Sequence, residues 1–240
     1  MTSGGPADEG EPCVLLVVRH GRTPLTEQGR FSGGGRLDPG LSEAGVADAE
    51  RVAVLLAALP VSPAAAPAAA AAIAAAPAAS STGLPDVGAV SAVVCSPSAR
   101  TRQTADVVAG RLGLPVEPDP DWCELGFGAW DGLTYAEVAA QWPVELAAWQ
   151  GDGTVAPPGG ESLVVHERRI RAARARLVAA RPGRTVVVVT HTTPARVVVR
   201  EALDAGPATL WRARISPCSV TAVRYWRDGG TEVVTVNRLP

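Results

Sequence analysis

The pentapeptide Arg19-His20-Gly21-Arg22-Thr23 follows directly on the apolar run Val14-Leu15-Leu16-Val17-Val18. Such a run reads as a strand buried on both faces. A strand that ends in Arg-His-Gly delivers an imidazole and a guanidinium to the carboxyl edge of a sheet, where open α/β sheets bind ligands. Gly21 is expected to let the chain turn there and to let backbone N–H groups approach an anion. A neutral ring nitrogen on a rigid mount, with fixed positive charge beside it, is what a histidine needs in order to attack phosphorus.

Two more strand ends carry residues of the same kind. Ala89–Cys95 stops at Ser96-Pro97, with Arg100 on the first turn of a helix expected over Ala99–Leu112, and the β-branched run Thr185–Thr190 stops at His191-Thr192. If these strands are parallel neighbours, Arg19, His20, Arg100 and His191 meet at one edge. That set suits a phosphoryl group, with arginines on the charged oxygens and one histidine attacking in line. In a fourth segment, Glu124-Leu125-Gly126-Phe127-Gly128-Ala129-Trp130-Asp131-Gly132, glycines and aromatics suggest a shaped loop. A carboxyl there can protonate a leaving alkoxide and then activate water. Asp121 and Asp131 flank Glu124 and compete for that role.

The elements that must hold these groups alternate between strand and helix. Ser42 is an N-cap for a helix with the core stripe Val46, Ala49, Val52, Ala53 and Leu56. Helices are expected over Thr134–Trp149, over Ser162–Ala180 and from Pro194 to about Leu203. The second of these carries Arg168, Arg169, Arg171, Arg174 and Arg176, expected as a solvated face whose stems cover apolar surface. His166 is expected to be exposed and without a role. Trp122, Trp130, Trp142 and Trp149 fit either core packing or the wall of a pocket. Ser219–Trp226 and Glu232–Val236, joined through Asp228-Gly229-Gly230, form a closing hairpin or adjacent edge strands. This alternation predicts a three-layer α/β/α sandwich with a mainly parallel central sheet. Residues 1–12 are expected to be a disordered tail, 13–240 one domain, and 61–85 an Ala/Pro-rich mobile insertion within it.

Composition narrows the chemistry. The net charge of −2 over 240 residues offers no footprint for nucleic acid or a membrane surface. All 22 basic residues are arginine, so a role that needs a lysine amine is excluded. The four cysteines, Cys13, Cys95, Cys123 and Cys218, form no CxxC pair and read as reduced thiols, which points to the cytoplasm. No signal peptide is visible in residues 1–12. Gly33-Gly34-Gly35 is not a P-loop, because no Gly-Lys-Ser/Thr follows.

Four motifs resemble the histidine phosphatase superfamily, the phosphoglycerate mutase-like proteins. They are Arg19-His20-Gly21-x-Thr23, Ser96-Pro97-x-x-Arg100-x-x-x-Thr104-Ala105, Glu124-x-x-Phe127-Gly128-x-Trp130-x-Gly132 and Thr190-His191. The stretches Val155–Ser162, Gly183–His191 and Ala202–Pro207 are most similar to the α-ribazole phosphatase-type acid phosphatase half of actinobacterial bifunctional ribonuclease H/acid phosphatase proteins, and the chain is expected to be that half standing alone. The resemblance implies a phosphoglycerate mutase-like fold and a phosphomonoesterase with no metal and no cofactor. By the same resemblance His20 becomes phosphohistidine. Arg19, Arg100 and His191 hold the phosphoryl oxygens, and Glu124 serves as acid and then base. Thr23, Ser32, Gly33 and Thr192 line the phosphate pocket.

Arg22 and Arg36 read equally as substrate contacts or as exposed loop arginines. Thr26 stands where many relatives have Asn, and Thr192 where mutases have Gly. The expected partner is a small phosphorylated metabolite, α-ribazole 5′-phosphate being a candidate by resemblance, and the late hairpin offers an edge for a homodimer. Two rival functions are a phosphoglycerate mutase and a non-catalytic phosphoryl-binding or scaffold module. The mutase branch grips its substrate carboxylate with an Arg pair and a Lys. This chain lacks the Lys, and no Arg pair follows Glu124 before the Arg168 helix.

Overall fold

The computed structural model describes residues 10–34, 37–62, 84 and 87–240. Most of the expected insertion, the first nine residues of the expected tail and Arg36 lie outside them. In chain order the elements are β1 (Cys13–Arg19), α1 (Pro24–Glu27), α2 (Glu43–Ala57), β2 (Val90–Cys95), α3 (Ala99–Leu112), β3 (Val116–Pro118), α4 (Tyr135–Gln141), α5 (Pro143–Gly151), α6 (Leu163–Ala180), β4 (Thr185–Thr190), α7 (Thr192–Ala202), β5 (Val220–Tyr225) and β6 (Thr231–Arg238). Short 3-10 turns lie at Pro120–Trp122, Gly128–Trp130 and Pro207–Trp211.

The strands form one six-stranded sheet in the order β3-β2-β4-β1-β5-β6. β3, β2, β4 and β1 are parallel, while β5 runs antiparallel to both β1 and β6. The mainly parallel sandwich is therefore present, closed on one side by the expected hairpin. Side chains alternate through the sheet with the period of two that a strand imposes. Leu15, Val17, Val186 and Val188 enter a core under α4–α7 together with Trp122, Trp130 and Trp149. Val14, Leu16, Val18, Val187 and Val189 enter a second core under α2 and α3. Each fully buried Val or Leu contributes about 1.5–3 kcal/mol, so the central strands are the rigid part of the molecule.

Three local expectations need correction. The segment Thr134–Trp149 is two helices, because Pro143 has no N–H to continue the first one and opens α5 instead, with Trp142 at φ −134° between them. Val46 faces solvent, and Gly45 takes its place in the buried set of α2. The cause is close packing: a Cβ on Gly45 would lie 1.9 Å from the Arg22 carbonyl oxygen. Gly21 is part of the same contact, since a Cβ there would lie 2.4 Å from the Gly45 carbonyl oxygen. Gly21 adopts no left-handed φ, and its N–H donates to Thr104 Oγ1 at 3.1 Å. It is glycine because two backbones touch.

At the edges of the expected insertion, Ser62 N–H donates to the Val90 carbonyl and Leu84 is buried. Among the described residues, no helix is long and apolar enough to cross a membrane.

Candidate active site

Strands β2, β4 and β1 are adjacent and parallel, with Cys95 level with Val189 and Thr190 level with Arg19. The next residue along each strand is therefore Ser96, His191 or His20, side by side at the carboxyl edge. Backbone bonds extend the ladder past the strand ends: His20 N–H donates to the Thr190 carbonyl at 2.9 Å and Ser96 N–H to the Val189 carbonyl at 3.1 Å. The two imidazoles meet edge to face, with ring centroids 5.2 Å apart.

The His20 ring has one tautomer compatible with its contacts. Its Nδ1 lies 2.7 Å from the Gly21 carbonyl oxygen, which can only accept, so Nδ1 carries the proton and Nε2 keeps its lone pair. Burial, reinforced by the charges of Arg19 and Arg100, holds this imidazole well below the usual histidine range. His191 is lowered in the same direction by burial and then by Arg100, His20 and Arg19. Its Nε2 lies 2.9 Å from Ser96 Oγ, and its Nδ1 is buried without a partner.

Two guanidiniums face these rings. Arg100 is fully buried; its Nη2 donates to the carbonyls of Ser32 and Gly33 at 3.2 and 3.1 Å, and Nη1 reaches Asp38 at 3.5 Å. Arg19 donates from Nη1 to the Ile215 carbonyl at 2.8 Å. Burial draws its pKa down to about 10, still charged at neutral pH. The Nε atoms of both arginines and the hydroxyl of Ser32 are buried without a partner in the protein. Glu124 is nearly buried. Its Oε1 accepts from Leu125 N–H at 2.8 Å and its Oε2 from Thr193 N–H at 3.3 Å, at the positive end of α7. Its charge acts on Arg19, Arg100 and Arg196, which sets the carboxyl among the cations. A cavity of about 590 Å³ opens beside it, lined in part by Gly34, Cys123, Asp131, Glu161 and Arg169.

The other expected site residues sit as follows. Thr23 is buried and caps α1, its hydroxyl accepting from Thr26 N–H at 3.1 Å and lying 3.0 Å from Thr26 Oγ1. Gly33 donates its N–H to Asp131 Oδ1 at 2.7 Å. Thr192 opens α7 directly after His191. Arg22 turns its fork onto Asp48, with bonds of 2.7 and 2.8 Å to the two carboxylate oxygens.

Ser96 and Thr193 N–H were not expected as site groups, while Asp131, weighed as a rival acid, accepts from Gly33 N–H. Ser96 carried a usable signal, because it follows a buried strand just as His20 and His191 do. His166, expected to be exposed, is fully buried against Glu161 and Arg169. Among the described residues, no group of three or more His, Cys, Asp or Glu side chains could hold a metal ion.

Comparison with known proteins bears on the family and the fold. The sequence profile of the histidine phosphatase superfamily (branch 1) matches residues 15–87 and 84–238. The bifunctional protein Rv2228c of Mycobacterium tuberculosis is 37% identical over 235 residues, covering 98% of this chain and 56% of that protein. The chain thus spans little more than half the length of that relative. The glucosyl-3-phosphoglycerate phosphatase of the same organism is 39% identical over 107 residues, covering 41% of this chain and 48% of that protein. The solved structure of mycobacterial hydrolase 1 superposes with a TM-score of 0.75 at 27% identity, covering 96% of this chain and 100% of that one. With the profile spanning nearly all of the sheet and both histidine-bearing strand ends, the chain belongs to the histidine phosphatase superfamily.

Proposed function

We propose that this protein is a metal-independent phosphomonoesterase that hydrolyses a small phosphorylated metabolite through a phosphohistidine. The observation that carries the reading is electrostatic. Arg19 and Arg100 hold two like charges against two neutral imidazoles, with buried donors left unpaired. Such a set is costly by itself and is offset by a dianion.

In the first step His20 Nε2 attacks phosphorus in line, forming the N–P bond as the P–O bond to the leaving group breaks. Glu124 gives its proton to the departing oxygen. In the second step Glu124 takes a proton from water, the water oxygen bonds to phosphorus, and the N–P bond breaks to release phosphate and free His20. Arg19, Arg100 and the His191 Nδ1–H bind the equatorial oxygens, where charge concentrates in the transition state. An oxyanion needs a donor, so the working tautomer of His191 has its proton on Nδ1, with Ser96 Oγ–H donating to Nε2.

Two relatives are named as phosphatases of alkyl phosphate esters, glucosyl-3-phosphoglycerate and α-ribazole phosphate, which makes these the first compounds to try. The test is a panel of p-nitrophenyl phosphate, these two compounds, sugar phosphates and 3-phosphoglycerate, run with EDTA on wild type and His20→Ala. EDTA-resistant phosphate release that His20→Ala abolishes is expected. Release that survives in His20→Ala, or that EDTA removes, overturns the proposal. Conversion of 3-phosphoglycerate to its 2-isomer would assign a mutase instead.

A further inference from the structure

Arg169 lies outside the reaction scheme, yet it grips the chain that carries its acid. Its Nη1 donates to the carbonyls of Asp121 at 2.7 Å and Cys123 at 3.0 Å, and its Nη2 reaches the carbonyl of Glu124 at 3.4 Å. Here the chain leaves the Pro120–Trp122 turn for an irregular path, so these carbonyls have no sheet ladder to hold them. A guanidinium is suited to such a task, because its planar fork offers several donors in fixed directions.

The fork is itself locked. Nε and Nη2 donate to Glu161 Oε1 and Oε2 at 3.2 and 2.8 Å. Nη2 also lies 2.9 Å from His166 Nδ1. A guanidinium can only donate, so His166 Nδ1 accepts and the ring proton sits on Nε2. The 3.3 Å approach of that Nδ1 to Glu161 is then two acceptors sharing one donor. Glu161 also ties the far side of the loop, its backbone N–H donating to the Gly126 carbonyl at 2.7 Å. The backbone is thus held on both sides of Glu124, while Leu125 and Thr193 N–H orient its carboxyl.

Resting on the acid role given to Glu124 above, we propose that Arg169, clamped by Glu161 and His166, is the positioning residue that sets where that acid stands. Proton donation matters only when the leaving group needs a proton. A misplaced acid therefore penalises alkyl esters and spares p-nitrophenyl phosphate, whose phenolate leaves unaided. A residue that merely holds the fold together would lower both alike.

The test is kcat/KM, which reports the phosphorylation step, for p-nitrophenyl phosphate and for the alkyl phosphate of the panel that wild type cleaves fastest. The variants are Arg169→Ala, Arg169→Lys and Glu161→Gln, with Glu124→Gln as the reference for a missing acid and thermal unfolding as a check on each. A displacement of ~1 Å costs about a hundredfold in such geometries. Arg169→Ala is thus expected to lower the alkyl-phosphate value roughly ten- to a hundredfold more than the p-nitrophenyl value. Glu161→Gln should do the same more weakly, and Arg169→Lys should restore part of the loss. If Arg169→Ala does not fold, Glu161→Gln carries the test. Equal losses on both substrates, while Glu124→Gln still discriminates, overturn the positioning role alone. If Glu124→Gln does not discriminate either, the acid assignment fails and this inference falls with it.

Discussion

The proposed nucleophile, His20, is held neutral by its surroundings, and that has a thermodynamic consequence measurable without any substrate. In an unfolded chain a histidine titrates near ~6.5. In the folded protein His20 and His191 stay neutral to much lower pH, His20 through burial and the charges of Arg19 and Arg100, His191 through burial, Arg100, His20 and Arg19. As pH falls below the unfolded value, only the unfolded state takes up these protons, so their contribution is present at neutral pH and lost on acidification. Integrated from pH 7 to pH 5, proton uptake stabilises the unfolded state by up to about 1.9 kcal/mol per histidine, or up to about 4 kcal/mol for the pair. The perturbation is His20→Gln and His191→Gln, singly and together, followed by urea unfolding at both pH values in buffers without phosphate. A bound anion would offset the arginine charges and blur the effect. Whatever each substitution costs at pH 7, the gap between variant and wild type should move in the variant's favour on acidification, by up to about 1.9 kcal/mol per histidine removed. A gap unchanged between the two pH values would mean that the imidazoles titrate normally in the fold, and the account of a site-enforced neutral nucleophile would be refuted.

Gly21→Ala drives a Cβ to 2.4 Å from the Gly45 carbonyl oxygen, a contact of backbone on backbone that no rotamer relieves. Overpacking of this kind costs typically ~1–3 kcal/mol or more, so thermal unfolding should fall markedly, and an unchanged Tm would sink the close-approach explanation. Ser96→Ala removes the hydroxyl 2.9 Å from His191 Nε2. Losing a buried partner costs about 1–3 kcal/mol, so kcat should drop roughly ten- to a hundredfold, with His191 shifting its ring tautomer by nitrogen NMR; wild-type kcat with an unchanged spectrum would show that Ser96 does not set the tautomer.

The residues legible in the sequence were those attached to a strand end. The run 14–18 is apolar throughout and the run 185–190 is β-branched and buried throughout, so the polar groups that follow are forced to the edge of the sheet, and His20 and His191 are found there. Arg100 was legible because the first turn of α3 must return toward the same edge. Val46 was misread because hydropathy ranks Val above Gly, while the fold buries Gly45 to let the Arg22 carbonyl approach. His166 was misread because its helix is rich in arginine. The spacing itself was sound: Leu163, His166, Ile170 and Ala173 follow each other at 3, 4 and 3 residues and are the buried face of α6.

Why the layer behind the acid stayed hidden follows from the range of its contacts. Arg169 meets carbonyls of residues 45–48 positions earlier in the chain. A backbone carbonyl is the same whatever side chain it belongs to, so no residue type on the partner side marks the contact. A strand end, by contrast, announces itself through the apolar run that precedes it. Sequence reading thus reaches groups whose placement follows from one local element. It misses groups whose placement depends on where an irregular loop lies, and α6 lays Arg169 against such a loop on the side of the sheet away from α2 and α3. The active site follows the same division. The proposed nucleophile His20 and Arg19 stand at the end of a buried strand and Arg100 on the first turn of a helix beyond another, whereas Glu124, the proposed acid, stands on a loop. If Glu124 is the proton donor proposed above, its loop needs anchoring that a sheet would otherwise supply, and the Arg169–Glu161 pair holds that loop.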